Sequence, residues 1–301
     1  MVQAWSEGKA VAAKRFWTIL AALLLTAAAP PLASGPQIGD RAEIVRTAET
    51  AQQIGEGGSG GSGSSFDEDA LVEQVVAVGP EGVDLRYDLP ADATFEERAA
   101  QWRLPALVRR SPDGGAQVLN RAELQQRLRQ WLQAAGLSNK DCGRWMFTWT
   151  AFRIECDPQS VLDIVAAFDL GQGGLRDGAP FSLPGAVGPA PLKRTGGSAQ
   201  GETFTVTLAV DPDAVRRQEA KSQVAVGELM RKPITLEAAL KSKASLQVSG
   251  TIEVTLDTDA SGRVRRRVAE TKLRLEQPGS PLETRTITET LERRPLARAG
   301  G

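Results

Sequence analysis

Histidine is absent from the 301 residues, and cysteine occurs only at Cys142 and Cys156. Without histidine there is no imidazole base, no Ser-His-Asp or Cys-His nucleophile pair and no histidine ligand for a metal. Two cysteines cannot build an all-cysteine zinc site or hold an iron–sulfur cluster. Neither sign of charge dominates: 36 Lys+Arg stand against 37 Asp+Glu, so no global field draws nucleic acid or an anionic membrane. Aromatic residues make up 5% of the chain, and none follows Phe204. What is present, 41% hydrophobic and 24% charged residues, is an ordinary globular composition, long enough for one large domain or two small ones.

Lys9, Lys14 and Arg15 precede an apolar run from Phe16 to Ala29, and Pro30-Pro31 follow. A basic start and an apolar core of this length spell an export signal over residues 1–33, short for a membrane span. The expected location is periplasmic or secreted; the alternative is an inner-membrane anchor through residues 16–33. An exported chain can form a disulfide, and Cys142 with Cys156 is the one pair available. Thirteen residues separate them. Extended, these would hold the cysteines about 45 Å apart, and as a helix about 21 Å, whereas a bridge needs Cα atoms about 5.5 Å apart. A bridge therefore demands a hairpin turning near Thr148–Ala151. The Trp, Phe and Thr residues there suit strands, although no Gly, Asn or Pro marks the turn. Two buried thiols are the alternative.

Between residues 34 and 170 the pattern predicts a strand meander followed by helices. Arg41–Thr50 reads as a strand, Gly55–Ser65 as a Gly/Ser-rich loop, and Ala70–Val78 and Val83–Leu89 as two more strands around a turn at Gly79–Gly82. In the last strand Val83, Leu85, Tyr87 and Leu89 share one face, with Asp84, Arg86 and Asp88 on the other. A short helix over Thr94–Trp102 and a strand over Leu104–Arg110 come next. Asn120 as cap, Glu123 three residues on and Gly136 as stop define a helix that buries Leu124, Leu128, Trp131 and Leu132. Asp157 and Pro158 open another, with Val161, Ile164, Val165 and Phe168 inward.

Residues 171–201 hold nine Gly and four Pro and read as a long loop, a boundary or a functional cover, with Phe181 and Leu183 as anchors. Residues 202–296 are mostly antiparallel strands. Phe204, Val206, Leu208 and Val210 alternate with polar residues, as do Ile252, Val254 and Leu256; a helix covers Asp211–Lys232. The apolar phase slips between Val268 and Leu273, which predicts a β-bulge or one wet pair of faces there. The fold class expected is α+β: a mainly antiparallel, strongly twisted sheet, at its most curved a half-barrel, with two or three packed helices and both halves in one continuous fold.

No spacing identifies a catalytic residue or a metal ligand, and no cofactor is expected. Gly55–Gly60 has the G-x-G-x-x-G spelling but strand-like residues follow it in place of a helix. Asp257–Gly262 begins like a calcium loop, yet Val268 stands at its twelfth position, so a hairpin turn is the better reading. Phe66–Asp69 clusters three carboxylates as a solvated strand entrance. In Arg263–Arg267, Arg265 and Arg267 should share a face and pair with Glu253, Glu270 or Glu289 on neighbouring strands. Trp145, Phe147, Trp149 and Phe152 read as core before they read as a sugar or lipid pocket.

Gly39-Asp40 entering a strand, together with the strand pair SGTIEVTLDTDASGRVRRRVAETKL, resembles a loose group of exported bacterial β-rich proteins, which brings no known activity. In outline the long one-sided strands with packing helices are also similar to periplasmic half-barrel carriers of lipid and lipoprotein. That likeness is one of architecture only; the apolar strand faces without aromatic filling, and the long loop able to act as a lid, predict an envelope protein that binds a lipid, another hydrophobic ligand or a lipoprotein without catalysis. Beside it stand a structural or adaptor module for an envelope protein partner and a carboxylate-based glycan hydrolase. Nucleic acid is not an expected partner.

Overall fold

The computed structural model describes residues 35–55, 60–147, 151–171 and 174–298. The expected export signal lies outside them, as do most of the Gly55–Gly60 motif and the turn at 148–150. Strands β1 (Arg41–Ile54), β2 (Gly61–Gly79) and β3 (Gly82–Asp88) form the predicted antiparallel meander. Gly82 turns at φ +127°, where a Cβ would collide with the Arg110 carbonyl, so no other residue fits the bend. Helix α1 (Phe95–Ala100) opens on a capping box made by Thr94 and Glu97. Strands β4 (Ala106–Arg110) and β5 (Ala116–Val118) follow, then helix α2 (Arg121–Ala134), which stops at Gly136 with φ +67°. Asn120 precedes α2 but does not cap it. Its Oδ1 accepts from the Leu107 N–H at 2.9 Å, tying the helix start to β4.

Strands β6 (Trp145–Phe147) and β7 (Ala151–Arg153) pair as the hairpin the cysteines required. Helix α3 (Val161–Ala167) follows one 3-10 turn at Pro158–Ser160, where Asp157 accepts from the Gln159 N–H. The C-terminal part contains β8 (Pro180–Phe181), β9 (Ala190–Pro191), β10 (Lys193–Ser198), β11 (Gly201–Ala209), α4 (Pro212–Leu229), α5 (Leu236–Ser242), β12 (Gln247–Thr258), β13 (Val264–Glu276) and β14 (Glu283–Leu296).

Ten of these strands make one antiparallel sheet in the order β10-β11-β12-β13-β14-β1-β2-β3-β4-β5. The fold is α+β, and the sheet is open, with β10 and β5 as its edges. The last strand pairs with the first along its whole length, from Arg41 opposite Leu296 to Ile54 opposite Glu283. Both chain ends therefore contribute central strands, and the N-terminal meander and the C-terminal strands share one hydrogen-bond ladder.

Two stretches read as loop from composition are partly strand. Gly61–Ser65 pairs with Thr50–Ile54, and Lys193–Ser198 forms the β10 edge against β11. Glycine and serine weaken a strand through entropy, but the ladder is made by backbone groups, and a 14-residue partner supplies them. The bulge lies earlier than the apolar phase suggested. Register shifts between Asp257 and Thr258, which face Arg266 and Val264 and leave Arg265 as the extra residue.

Residues opposed across an antiparallel ladder share a face. One face of the sheet carries Phe204, Leu208, Leu256, Leu291, Ile44, Tyr87 and Val108, all at most 1% exposed. Helix α2 lays Leu124, Leu128 and Leu132 on it, and α3 adds Val161 and Val165 with Phe168 behind them, in one continuous core. The other face is largely polar and solvated, with Glu253 opposite Glu270 and Arg266 opposite Glu292.

Candidate functional site

A cavity of about 670 Å³ lies between α3 and the middle of the covered face. Its floor comes from three neighbouring strands. Ile252 on β12, Thr271 on β13 and Ile287 on β14 stand opposite one another in register, and Ala269 and Glu289 form the next rung. Small side chains at Ala269 and Thr271 leave this part of the floor low. The walls are Ala166 and Ala167 at the end of α3, Leu170, and Phe181, Leu183 and Pro184 from the Gly/Pro-rich segment. Phe181 and Leu183 pack against the core, the anchoring role expected of them. Asp163, Ala166, Ser182 and Pro184 are exposed and mark the mouth.

The wall segment is held by few backbone bonds. Phe181 pairs with Ala190 across the β8–β9 ladder, the Gly178 N–H donates to Leu192 O at 2.8 Å, and the Asp211 N–H donates to Gly185 O at 2.7 Å. Gly178 and Gly185 adopt φ values of +75° and +87°, a region that side-chain-bearing residues avoid.

Charge is concentrated at one end of the cavity. Arg267 Nη2 donates to Glu289 Oε1 at 3.0 Å and Nη1 donates to the Asp169 carbonyl at 2.7 Å; its Nε makes no hydrogen bond among the described residues. Arg46 Nε donates to the other oxygen of Glu289 at 2.9 Å. The Asp169 carboxylate receives Arg110 Nη1 at 2.9 Å and the Gly171 N–H at 3.0 Å. Burial pushes the Asp169 carboxyl up, but Arg110 beside it, the Gly171 N–H and the charge of Arg267 together hold it below the ordinary carboxylate value. It is ionised at neutral pH. Burial lowers Arg110, but the charges of Asp169 and Glu73 raise it further, so it stays charged.

The charged row continues across the sheet. Glu73, only 8% exposed, accepts from Arg293 Nη1 at 2.8 Å and from the Tyr87 hydroxyl at 3.0 Å. Burial, and after it the charge of Glu73, raises the Tyr87 phenol well above its ordinary value, so the hydroxyl remains a donor.

The sequence motifs are dispersed. Cys142 and Cys156 flank the β6–β7 hairpin with their Cα atoms 5.6 Å apart and their sulfurs at bonding distance, and neither lines the cavity. Asp257–Gly262 is the hairpin turn: Asp259 Oδ1 accepts from the N–H groups of Ser261 and Arg263, so it is used within the loop. Of the arginine run only Arg267 reaches the cavity, where it pairs with Glu289 as anticipated. Arg266 lies 3.7 Å from Asp257, and Arg265 borders a small polar cleft with Glu202 and Asp257. Phe66–Asp69 sits on the exposed half of β2, where Asp69 comes within 3.8 Å of Arg46. Trp145 and Phe152 are half-buried in the hairpin, and Phe152 packs against the core; the side chain of Phe147 and all of Trp149 fall outside the described residues. Among the described residues no three His, Cys, Asp or Glu side chains gather as metal ligands, and no helix is long and apolar enough to cross a membrane.

The sequence arguments did not single out Arg46 or Asp169, and named Glu289 only as one of three possible partners of the arginine run. The signal was a break in period: Arg46 falls between Ile44 and Ala48, and Glu289 between Ile287 and Leu291, on strand faces otherwise apolar or small.

No family model matches the chain, and no curated protein matches it. A solved structure of lipovitellin, described by its lipid–protein interactions, aligns with 88% of this chain and 26% of its own at 10% identity, with a TM-score of 0.42. This chain thus spans about a quarter of that protein's length, and a likeness at that score fixes neither fold nor ligand.

Proposed function

We propose that the protein binds a hydrophobic small molecule, without catalysis, in the cavity between α3 and strands β12–β14. The observation that carries this reading is the cavity itself. Its 670 Å³ falls in the range of about 300–1,000 Å³ typical of ligand sites, and apolar walls meet a few charged groups at one end, the usual composition of such sites. The cysteine pair fits an oxidising compartment and supports an exported protein, lipid-facing in the cell envelope or outside it. Glycan hydrolysis needs one carboxyl held protonated beside an ionised one, and Asp169, held ionised, could serve only as the second of these. The envelope-partner reading has one observation of its own, Phe66 at 59% exposure on the half of β2 that reaches beyond β3.

The test is displacement of a solvatochromic hydrophobic dye from the folded protein, followed by native mass spectrometry. Ala269→Leu extends a side chain into existing space, so it should change stability by less than about 1.5 kcal/mol. The same change should weaken dye and lipid binding at least about tenfold. Equal binding by the variant would move the site elsewhere. No binding by the wild-type protein would end this reading in favour of a protein partner.

A further inference from the structure

We infer that the ligand is a single-chain amphiphile with an uncharged, hydroxyl-bearing head, of the monoacylglycerol type; this rests on the cavity being the binding site. Size sets the first limit. At about 30 Å³ per non-hydrogen group, the share a water takes in the liquid, the cavity holds roughly twenty such groups. That matches one acyl chain of about fourteen carbons with a glycerol head; a second chain would have to extend out through the mouth.

The polar end sets the second limit. That end presents Asp169 and Glu289 beside one guanidinium, Arg267, and a third carboxylate of the lining, Asp163, stands at the mouth. Both terminal nitrogens of Arg267 already donate to chain partners, and the two arginines behind the lining are paired, Arg46 with Glu289 and Arg110 with Asp169; the Nε of Arg267 and that of Arg110 have no partner among the described residues. A fatty-acid carboxylate or a phosphate would have to take Arg267 from Glu289, leaving that carboxylate unpaired, and would also face Asp163. Uncompensated charge in a partly dry site is costly. A cationic head gains little, because Arg46, Arg110 and Arg267 balance the three carboxylates and Arg267 would repel it.

What the end offers in surplus is hydrogen-bond acceptors. An ionised carboxylate has about four acceptor positions. Glu289 and Asp169 each receive two hydrogen bonds, Asp163 receives none, and the hydroxyls of Ser182 and Thr271 make none within the described residues. Neutral hydroxyl donors use those acceptors without disturbing one ion pair, while the acyl chain lies between Ile252, Ile287, Phe181 and Leu183.

The experiment compares 1-tetradecanoylglycerol, tetradecanoate and tetradecylamine at pH 7, each below its aggregation threshold, by dye displacement and native mass spectrometry on the whole protein. The glycerol ester should bind at least about tenfold tighter than either charged chain, the discrimination expected for an unpaired charge at such a site. Tetradecanoate binding as tightly as the ester would overturn the inference and leave the cavity reading standing. Binding of none of the three would overturn both. Asp163→Lys changes an exposed side chain that has no ion pair, so the fold is kept, and it should shift the preference toward tetradecanoate about fivefold. An unchanged preference would remove the carboxylates from the account.

Discussion

The covered face of the sheet is closed at one end and hollow at its middle, and the difference lies in the lengths of the helices above it. At the closed end β3 and β4 meet α2, a 14-residue helix spanning about 21 Å. Tyr87, Val108 and Leu124 there are fully buried, and Trp102, Leu128 and Leu132 fill what remains. At the middle, the end of α3, a helix of seven residues spanning about 10 Å, faces β13 and β14 across the cavity. Irregular chain takes over beyond Ala167, and Ala269 and Thr271 below it are too short to meet it. Interiors pack to crystal density when long elements carry large side chains on both sides. Here both contributions fall short at the same place, and the cavity is the result. The charged row crosses both regions; at the closed end Glu73 is shared between Arg293 and the Tyr87 hydroxyl, while at the hollow end carboxylate acceptors face open space.

The largest effect should come from the closed end of that row. Glu73 and Arg293 are an ion pair with side chains 10% and 18% exposed, and the Tyr87 hydroxyl completes it. Glu73→Leu leaves the Arg293 guanidinium without its partner and should destabilise the fold by about 3–5 kcal/mol in urea unfolding. Adding Arg293→Met should recover most of that loss. A cost below about 1 kcal/mol for the single change would show that water reaches the pair, and the contrast between the two regions would fail. Next comes Leu124→Ala, which deletes a side chain with 0% exposure and should cost about 3 kcal/mol. It tests the packed region by making in it the kind of void that the other region already contains. A Leu124→Ala protein as stable as wild type would mean that α2 is not tightly packed.

Much of this architecture is legible in the sequence because it depends on local period. Val83, Leu85 and Tyr87 alternate, and Leu124, Leu128 and Leu132 recur at helical spacing, so strand, helix and buried face follow directly. The need for a hairpin between Cys142 and Cys156 is arithmetic on chain length. What could not be read depends on partners far away in sequence. Gly61–Ser65 becomes strand because Thr50–Ile54 holds it, and β1 becomes central because β14, some 240 residues later, pairs with it. The polar end of the cavity joins Arg46 to Glu289 and Asp169 to Arg110 and Arg267, contacts that no window of the sequence contains. Polar interruptions such as Arg46 and Glu289 within mostly apolar or small faces were visible. Their convergence required the register.

The smallest effect separates the two regions by pH. The folded-state pKa of Asp169 is depressed below its ordinary 3.8, so its contribution to stability is fully present above that value and is lost as pH falls through the lower, folded value. Its side chain is 42% exposed, so screening by solvent keeps the contribution below about 1 kcal/mol. Other carboxylates with depressed values, Asp84 among them, titrate in the same window, so the informative quantity is the difference between wild type and Asp169→Asn. Above pH 5 the variant should be slightly less stable than wild type, and below the folded value of Asp169 the two should converge. Over the same window the wild-type protein should lose bound ligand, because Asp169 anchors Gly171 and Arg110 at the cavity wall. The Tyr87 phenol at the closed end stays protonated throughout, so near-ultraviolet signals from that region should not change until the whole fold unfolds. If those signals move together with ligand release, the two regions are a single cooperative unit, and the short reach of α3 leaves the cavity no independent freedom to open.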